Sequence, residues 1–279
     1  RKASNWPRLS WRPWRNSSSE RLIFLDTNAI LDLAFALRPR HRPIYEMFEK
    51  RNVGKAEPLL YTSWIRDEVD HILGMVLKGV RTFFLEKLEM EKGWDELDSR
   101  DRGKRLEQWL EDSGALGQLE YQEIVVYVIG QLRPSLLALR REEMLQYFEE
   151  QTLGMEWLVR HRLFMNELMP VSHTPFTEGW ELEMRIFDAL KDAKRHGGPL
   201  FRLGEDDETV DAHNLAELLS FLRYPPMMGR APVRGNPAIE FWTADRELKE
   251  RCEHVKERAE DLGLAKLISG DLSRFSVVF

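Results

Sequence analysis

The sequence has little cysteine and no long apolar run. Of its 279 residues one is cysteine, Cys252, which lies in a charged helical pattern. One thiol cannot build a disulfide framework or a zinc site, so we expect a reducing, cytoplasmic location. No apolar stretch is long enough to cross a bilayer, and the first residues lack a signal-peptide pattern. Residue 1 is Arg, from which we expect a chain that is processed or cut from a longer one.

An excess of basic residues is also absent. The net charge of −6 at pH 7 argues against a protein that coats nucleic acid, which should be basic. It agrees with an enzyme that has an acidic metal site and local basic patches. A chain of 279 residues can bury a large core, as one domain or as a core with an insertion.

The first 20 residues form a basic segment that is rich in tryptophan. They read RKASNWPRLSWRPWRNSSSE and have no helical or strand period, so we expect a tail. Trp6, Trp11 and Trp14 among the Arg side chains can stack on single-stranded nucleic acid. They can equally pack on the domain or on a partner subunit.

The stretch Arg21–Leu33, RLIFLDTNAILDL, is the strongest local signal in the chain. Its apolar run Leu22–Leu25 predicts a short buried strand, and the pattern after Asn28 predicts a helix. Asp26 therefore lies where the strand ends, at the edge of an α/β sheet where ligands bind. A simpler interpretation is that Asp26 or Asn28 caps the helix.

A second carboxylate, Glu68, lies beside the apolar stripe of a predicted helix. A short strand at Pro58–Thr62 precedes that helix, which runs from Trp64 to about Leu73 with Thr62 or Ser63 as its cap. Carboxylates are rarely buried without a partner, so Glu68 requires a salt bridge or a metal ion.

A third carboxylate, Asp211, lies on the apolar face of a helix predicted from Thr209 to Phe221. It shares that face with Leu215, Leu218 and Leu222. No Lys or Arg stands at the neighbouring helical spacings, which excludes an ion pair within the helix. A metal ion or a buried Arg from elsewhere in the chain can satisfy Asp211. Asp207, one turn earlier, is expected to cap the helix and is the reserve candidate.

The strand predicted at Ala238–Trp242 repeats the opening arrangement. Thr243, Ala244 and Asp245 follow it and lead into a helix, so Asp245 alone would be interpreted as an N-cap. Further strands are expected at Leu264–Ile268 and Phe275–Phe279.

The remaining segments are a basic loop and a long helical region. The stretch Arg38-Pro39-Arg40-His41-Arg42-Pro43 is expected to form either a solvated loop or a phosphate-contacting loop. From about residue 77 to residue 204 apolar residues recur mostly at helical spacing among charges, which is typical of core packing.

The four carboxylates are expected at the carboxyl ends of strands or on inner helix faces. In a parallel sheet such positions can be neighbours. Clustered carboxylates repel one another unless a cation is present, and hard oxygen ligands suit Mg²⁺ or Mn²⁺. Such ions activate water and clamp a phosphate. The residues therefore point to a metal-dependent phosphoryl-transfer site.

The sequence resembles the PIN-domain nuclease family in residues 21–76 and 205–270. The matching pieces, in the family's order, are FLDTNAILDL, SWIRDEVDHIL, VDAHNLAELL and FWTADRELK. The resemblance implies that Asp26, Glu68, Asp211 and Asp245 are the metal-binding catalytic acids. Thr27, Asn28 and Thr243 would orient them, and Arg38, Arg40 and Arg42 would contact RNA.

The implied fold is a PIN-like three-layer α/β/α sandwich around a mostly parallel sheet, with a large helical insertion. Its parts would be a tail at 1–20, PIN-like segments at 21–76 and 205–279, and the insertion at 77–204. The implied activity is a Mg²⁺- or Mn²⁺-dependent endoribonuclease with water as the nucleophile, without membrane association. The insertion departs from compact toxin members of the family and is expected to cover the active site, select the RNA or bind a protein inhibitor or partner; an oligomer is left open.

Three alternatives remain at this stage. A member that lost activity would be an RNA-binding or scaffold module. A nuclease of the same superfamily can instead act on DNA. A haloacid-dehalogenase-like phosphatase also begins with a strand and an Asp, but it requires a second Asp where Asn28 stands.

Overall fold

The computed structural model describes residues 21–35, 38, 40, 42–44, 46, 59–111, 121–150, 168–204, 206–228, 231–232, 236–268 and 272–278. The chain divides into two compact units. The first unit comprises Arg1–Ala29, Tyr45–Arg66 and Glu167–Phe279, and the second comprises Ile30–Ile44 and Asp67–Asn166. The tail expected at residues 1–20 lies outside the described residues.

The first unit is built on a five-stranded sheet in which every neighbouring pair is parallel. Its strands are β1 (Arg21–Leu25), β2 (Leu59–Thr62), β3 (Leu168–Val171), β4 (Ala238–Trp242) and β5 (Phe275–Val278), in the spatial order β3-β2-β1-β4-β5. The expected α/β class with a mostly parallel sheet is therefore confirmed. Leu22–Leu25 of β1 are all buried, as is usual for a central parallel strand made of a continuous apolar run.

The helices of the first unit follow the strands and cover the apolar side chains of the sheet. They are α1 (Thr27–Ala34, whose first three residues belong to this unit), the start of α2 (Ser63–Met90), α6 (Glu178–Lys191), α7 (Asp206–Ser220), α8 (Arg246–Glu257) and α9 (Leu264–Leu267). One apolar core joins Phe24 of β1 and Phe241 of β4 with Ile186 of α6, Leu215 of α7 and Cys252 of α8. Two short antiparallel pairs complete the described strands, Lys194–Arg195 with Gly198–Pro199 and Met227–Met228 with Ala231–Pro232.

The second unit is helical in its described part. It contains the rest of α2 together with α3 (Ser99–Glu111), α4 (Gln122–Ala138) and α5 (Arg141–Glu150). Within it Phe84 stacks on Phe148 with 4.7 Å between ring centroids, and Trp94 stacks on Trp109 at 5.2 Å. No helix in the described ranges is both long and apolar enough to span a membrane.

Several boundaries differ from those expected from the sequence. Leu168–Val171 is a strand that pairs with β2, so residues 168–204 belong to the first unit and not to the helical insertion. Helix α2 continues through Gly74 to Met90, because its buried apolar stripe continues at Val76, Val80 and Phe84. Leu264–Leu267 is a helix where a strand was expected. The helical pattern expected at 155–167 lies outside the described residues.

Candidate active site at the carboxyl edge of the sheet

Asp26 and Thr243 lie side by side at the carboxyl ends of the two central strands. The ladder between β1 and β4 extends past Leu25, because the Asp26 N–H donates to the Trp242 carbonyl at 2.9 Å. The Thr243 hydroxyl donates to the Asp26 Oδ2 at 2.9 Å. Asp26 is 4% exposed, so its carboxylate accepts this hydrogen bond inside the protein. This hydrogen bond between Thr243 and Asp26 agrees with the orienting role that was expected for Thr243.

The same Thr243 hydroxyl connects Asp26 to Asp245. Its Oγ1 accepts the backbone N–H of Asp245 at 2.9 Å. The Asp245 Oδ1 in turn accepts the backbone N–H groups of Glu247 at 2.7 Å and Leu248 at 3.1 Å. Asp245 is thus the N-cap of α8, as its position indicated, and one of its carboxylate oxygens serves that cap. A continuous hydrogen-bond chain joins Asp26, Thr243 and Asp245.

Asp211 is paired with an arginine from another helix. Its Oδ2 lies 3.6 Å from the Nη1 of Arg251 on α8, and their side chains are 20% and 6% exposed. Leu215, Leu218 and Leu222, expected on the face of Asp211, are all buried. The intrahelical pair was correctly excluded, and the partner that the sequence left open is Arg251.

Arg251 also binds Glu208, a residue that the sequence reasoning missed. The Nη2 of Arg251 lies 2.8 Å from the Oε1 of Glu208 and 2.7 Å from the Oε1 of Glu247. Burial alone would raise the pKa of the Glu208 carboxyl, but hydrogen bonds from Arg202 and Arg251 lower it. Arg251 stands three residues after Leu248 and four before Val255, both buried. A cation on that apolar stripe was the available signal for an internal ion pair.

Cys252 of α8 is a buried thiol whose pKa is raised well above its usual value. Burial is the main cause that raises the pKa of this thiol, and the negative charges of Asp211 and Asp26 raise it further. Cys252 is fully buried in the core, in agreement with its interpretation as an ordinary helix residue.

The other candidate residues have different locations. Thr27 is buried at the start of α1, and Asn28 follows it half-buried. Glu68 is half-buried on α2 and belongs to the second unit. Asp207 lies inside the first turn of α7, because the helix begins at Asp206 and not at Thr209. Its side chain is outside the described part of the structure.

The basic residues of the expected phosphate loop lie in the second unit. The Nε of Arg38 pairs with the Oδ1 of Asp32, so this guanidinium is held by a buried acid. Arg40 and Arg42 are exposed. Arg42, Pro43 and Ile44 are helical, in contrast to the continuous loop that the prolines suggested.

The donor atoms at this edge suit a hard cation, although the described side chains do not form a ready-made cage. Carboxylate oxygens of Asp26, Asp211 and Asp245 are the ligands that Mg²⁺ and Mn²⁺ prefer. Across the described ranges, no group of three or more His, Cys, Asp or Glu side chains is arranged to hold a metal ion. Two of these three carboxylates already have partners within the protein. Asp211 pairs with Arg251, and Asp245 caps α8.

Comparison of the chain with protein-family models, curated proteins and solved structures finds no match.

Proposed function

We propose that the chain is a Mg²⁺- or Mn²⁺-dependent endoribonuclease with a PIN-like three-layer α/β/α arrangement. The observation that carries the proposal is the hydrogen-bond chain Asp26–Thr243–Asp245 at the ends of adjacent parallel strands. The carboxyl edge of such a sheet is where α/β proteins bind ligands. A buried hydroxyl that orients the Asp26 carboxylate and binds the backbone N–H of Asp245 is a preorganised arrangement of the type that an active site needs.

The residues of the chain would have distinct roles. Asp26 and Asp211, with Asp245, would hold the ion, and Asp207 is the reserve ligand. Glu68, the remaining acid of the resemblance, is a candidate in the second unit. A divalent ion bound there polarises a phosphodiester and lowers the pKa of a bound water. Thr243 fixes the Asp26 carboxylate. Thr27 and Asn28 are proposed to orient the acidic side chains at the same edge of the sheet. Arg38, Arg40 and Arg42 are proposed RNA contacts.

RNA as the substrate comes from the resemblance in the four sequence pieces and not from the geometry. Cleavage of matched RNA and DNA oligonucleotides separates a ribonuclease from a DNA-directed nuclease. Incubation with total RNA and Mn²⁺, with mapping of the product ends, distinguishes internal cuts from trimming.

The second candidate is an inactive PIN-like module that binds RNA or acts as a scaffold. The observation that favours it is the ion pair between Arg251 and Asp211, in which the chain itself supplies a cation to the third acid. In that case Asp211 and Arg251 hold α7 on α8, and the protein binds RNA without cutting it.

Metal dependence decides between the two candidates. We expect Mn²⁺ to support cleavage, EDTA to abolish it, and Asp26→Asn to remove both cleavage and most Mn²⁺ binding measured by calorimetry. Asp188→Asn, which neutralises an exposed acid on α6, is the matched control and should behave like the parent. RNA binding without cleavage at any Mn²⁺ concentration would support the inactive module. Full cleavage in EDTA would refute the metal-dependent mechanism.

A further inference from the structure

A second buried polar cluster lies where α7 passes the carboxyl ends of β2 and β3. We call it the α7 latch. Its members are Thr62, Ser63, His173, Glu183, Asn214 and Glu217. They come from the end of β2, the segment after β3, α6 and α7. None of them belongs to the candidate active site described above.

Hydrogen bonds in the latch attach α7 to the end of β2. The Thr62 hydroxyl donates to the Asn214 Oδ1 at 2.7 Å, and the Ser63 hydroxyl donates to the Glu217 Oε2 at 3.4 Å. The backbone N–H groups of Ser63 and His173 also donate to the Glu217 carboxyl. Asn214 and Glu217 are one turn apart on α7, so two successive turns of this helix are held at one strand end.

The latch contains two carboxyl groups and no neutralising cation. Glu217 is 1% exposed and Glu183 is 5% exposed. Within the described residues neither forms an ion pair, and the Glu183 Oε1 accepts a hydrogen bond from the indole N–H of Trp64 at 3.3 Å. Burial raises the pKa of Glu183 to about 6. Burial, followed by the charge of Glu183, raises the pKa of Glu217 to about 9.

The histidines around the latch do not supply positive charge at neutral pH. Burial lowers the pKa of His173 to about 4. Its Nε2 lies 2.6 Å from the Ser220 Oγ, and that hydroxyl also lies 2.6 Å from the Glu217 carbonyl oxygen, to which it donates. His213 is stacked between Trp64 and Phe187, with ring centroids 3.9 Å and 3.7 Å away. Burial lowers the pKa of His213 as well.

Two polar atoms of the latch lack hydrogen-bond partners among the described residues, the Glu217 Oε1 and the Asn214 Nδ2. Buried polar groups are normally satisfied, and a buried charge without a cation is far more costly than a neutral group. A proton on Glu217 removes that charge.

We propose that Glu217 is a positioning residue whose buried carboxyl group holds α7 against the end of β2 and thereby fixes the position of Asp211 on the same helix. Asp211 lies six residues before Glu217 on the same helix. This inference rests on the proposed function in so far as Asp211 serves the nuclease centre. Loss of the proton places two like charges in one buried cluster, which loosens α7 and displaces Asp211.

The direction in which stability changes with pH follows from the difference between the pKa of Glu217 in the folded protein and its pKa in the unfolded protein. The folded protein keeps a proton on Glu217 up to about pH 9, whereas an unperturbed Glu releases it near pH 4.5. The contribution of this group to stability is therefore fully present below pH 4.5 and is lost as the pH rises towards 9. Glu217→Gln imitates the protonated form at every pH, so it should remove this dependence.

Two measurements test the inference, both with the full chain and with Glu217→Gln, Glu183→Gln and the control Glu181→Gln. Glu181 is exposed on the same helix as Glu183. The first is urea unfolding of the metal-free protein at pH 5, 7 and 9. The parent and Glu181→Gln should lose stability over this range, and Glu217→Gln should lose much less. The second is the rate of Mn²⁺-dependent RNA cleavage between pH 6 and pH 10.

The ratio of the Glu217→Gln rate to the parent rate should be constant at pH 6–8. It should rise by about tenfold per pH unit above pH 9, where the parent loses the proton. A parallel pH dependence of both proteins in unfolding and in cleavage overturns the inference. If Glu217→Gln does not fold, Glu183→Gln decides, because loss of the neighbouring charge must also flatten the pH dependence of stability.

Failure of the proposed function is distinguishable from failure of the latch. If the parent cleaves no RNA at any pH, the nuclease proposal fails. The unfolding series then decides alone whether protonated Glu217 holds α7.

Discussion

The Nη1 of Arg251 lies 3.6 Å from the Oδ2 of Asp211, and this ion pair joins α8 to α7 beside the candidate site. The pair has two consequences: one favours the folded protein, and the other opposes the proposed binding of a metal ion. It stabilises the fold by neutralising a partly buried acid. It also places a fixed cation where a divalent ion would need the Asp211 carboxylate. We therefore expect Arg251 to affect the stability of the metal-free protein and, under the proposed function, its affinity for metal.

Arg251→Met should destabilise the metal-free protein by about 3 kcal/mol, because it leaves Glu208 and Asp211 without a buried cation. Arg202 still neutralises Glu208 in part, which limits the loss. Urea unfolding measures the change. Arg246→Met removes an exposed arginine from the same helix and should alter stability by less than about 0.5 kcal/mol. Equal effects of the two substitutions would show that the buried ion pairs of Arg251 do not contribute to the free energy of unfolding.

The same Arg251→Met variant should bind Mn²⁺ more tightly than the parent, because Asp211 no longer has a competing guanidinium. Isothermal titration calorimetry at low ionic strength measures this affinity. An unchanged affinity would remove Asp211 from the list of ligands. Asp207→Asn is then the variant to examine.

Thr243→Val should lower the free energy of unfolding and should also reduce RNA cleavage. The substitution removes the hydroxyl that donates to Asp26 and accepts from the Asp245 N–H. Loss of the hydrogen bond to the buried Asp26 carboxylate should cost about 1–3 kcal/mol. Thr243→Ser keeps the hydroxyl and should retain most stability and cleavage. A valine variant as active as the serine variant would contradict the orienting role of Thr243.

Substitutions of Asp245 separate its capping role from metal binding. Asp245→Asn keeps a good N-cap and should change the free energy of unfolding little, whereas Asp245→Ala should cost about 1 kcal/mol. If Asp245 is also a metal ligand, both variants lose cleavage and Mn²⁺ affinity. An asparagine variant that cleaves RNA like the parent would reduce Asp245 to a helix cap.

Gly179→Ala should destabilise the start of α6. A Cβ at this position would lie 2.3 Å from the Nδ1 of His173, so the imidazole must move and give up its contact with Ser220. We expect a net loss of about 1–2 kcal/mol, because the better helix propensity of Ala offsets part of the strain. His173→Ala combined with Gly179→Ala should be less destabilised than the sum of the two single changes. Additive losses would exclude a steric origin.

The strands were predictable where a short apolar run ends in a polar residue. β1, β2 and β4 each have this pattern, and the structure places them near the expected bounds. β3 was not recognised, because its residues lie within the region 77–204, which was expected to be helical. It includes Pro170 and forms the edge of the sheet, where a missing backbone donor is tolerated. The apolar residues of α9 fit a strand as well as a helix, since a run this short carries no clear period.

The candidate site was predictable only in its local parts. Asp26 and Thr243 were identified because each directly follows a strand, and Asp245 because it lies three residues after the end of β4. The partner of Asp211 was not, because Arg251 lies 40 positions later in the sequence and no local spacing encodes contacts between helices. The latch was missed for the same reason. Asn214 and Glu217 are unremarkable polar residues until the fold brings them to the end of β2.

The pairing of β1 with β4 has a consequence for synthesis of the chain. Asp26 and the Thr243 that orients it are separated by 217 positions. A chain made from its N-terminus therefore presents one edge of β1 without its partner until β4 has been added, and contacts this distant form slowly. Nascent chains carry an apolar strand that can pair wrongly. They also lack the hydroxyl that orients Asp26, so the proposed nuclease centre would be assembled only after Thr243 has been added.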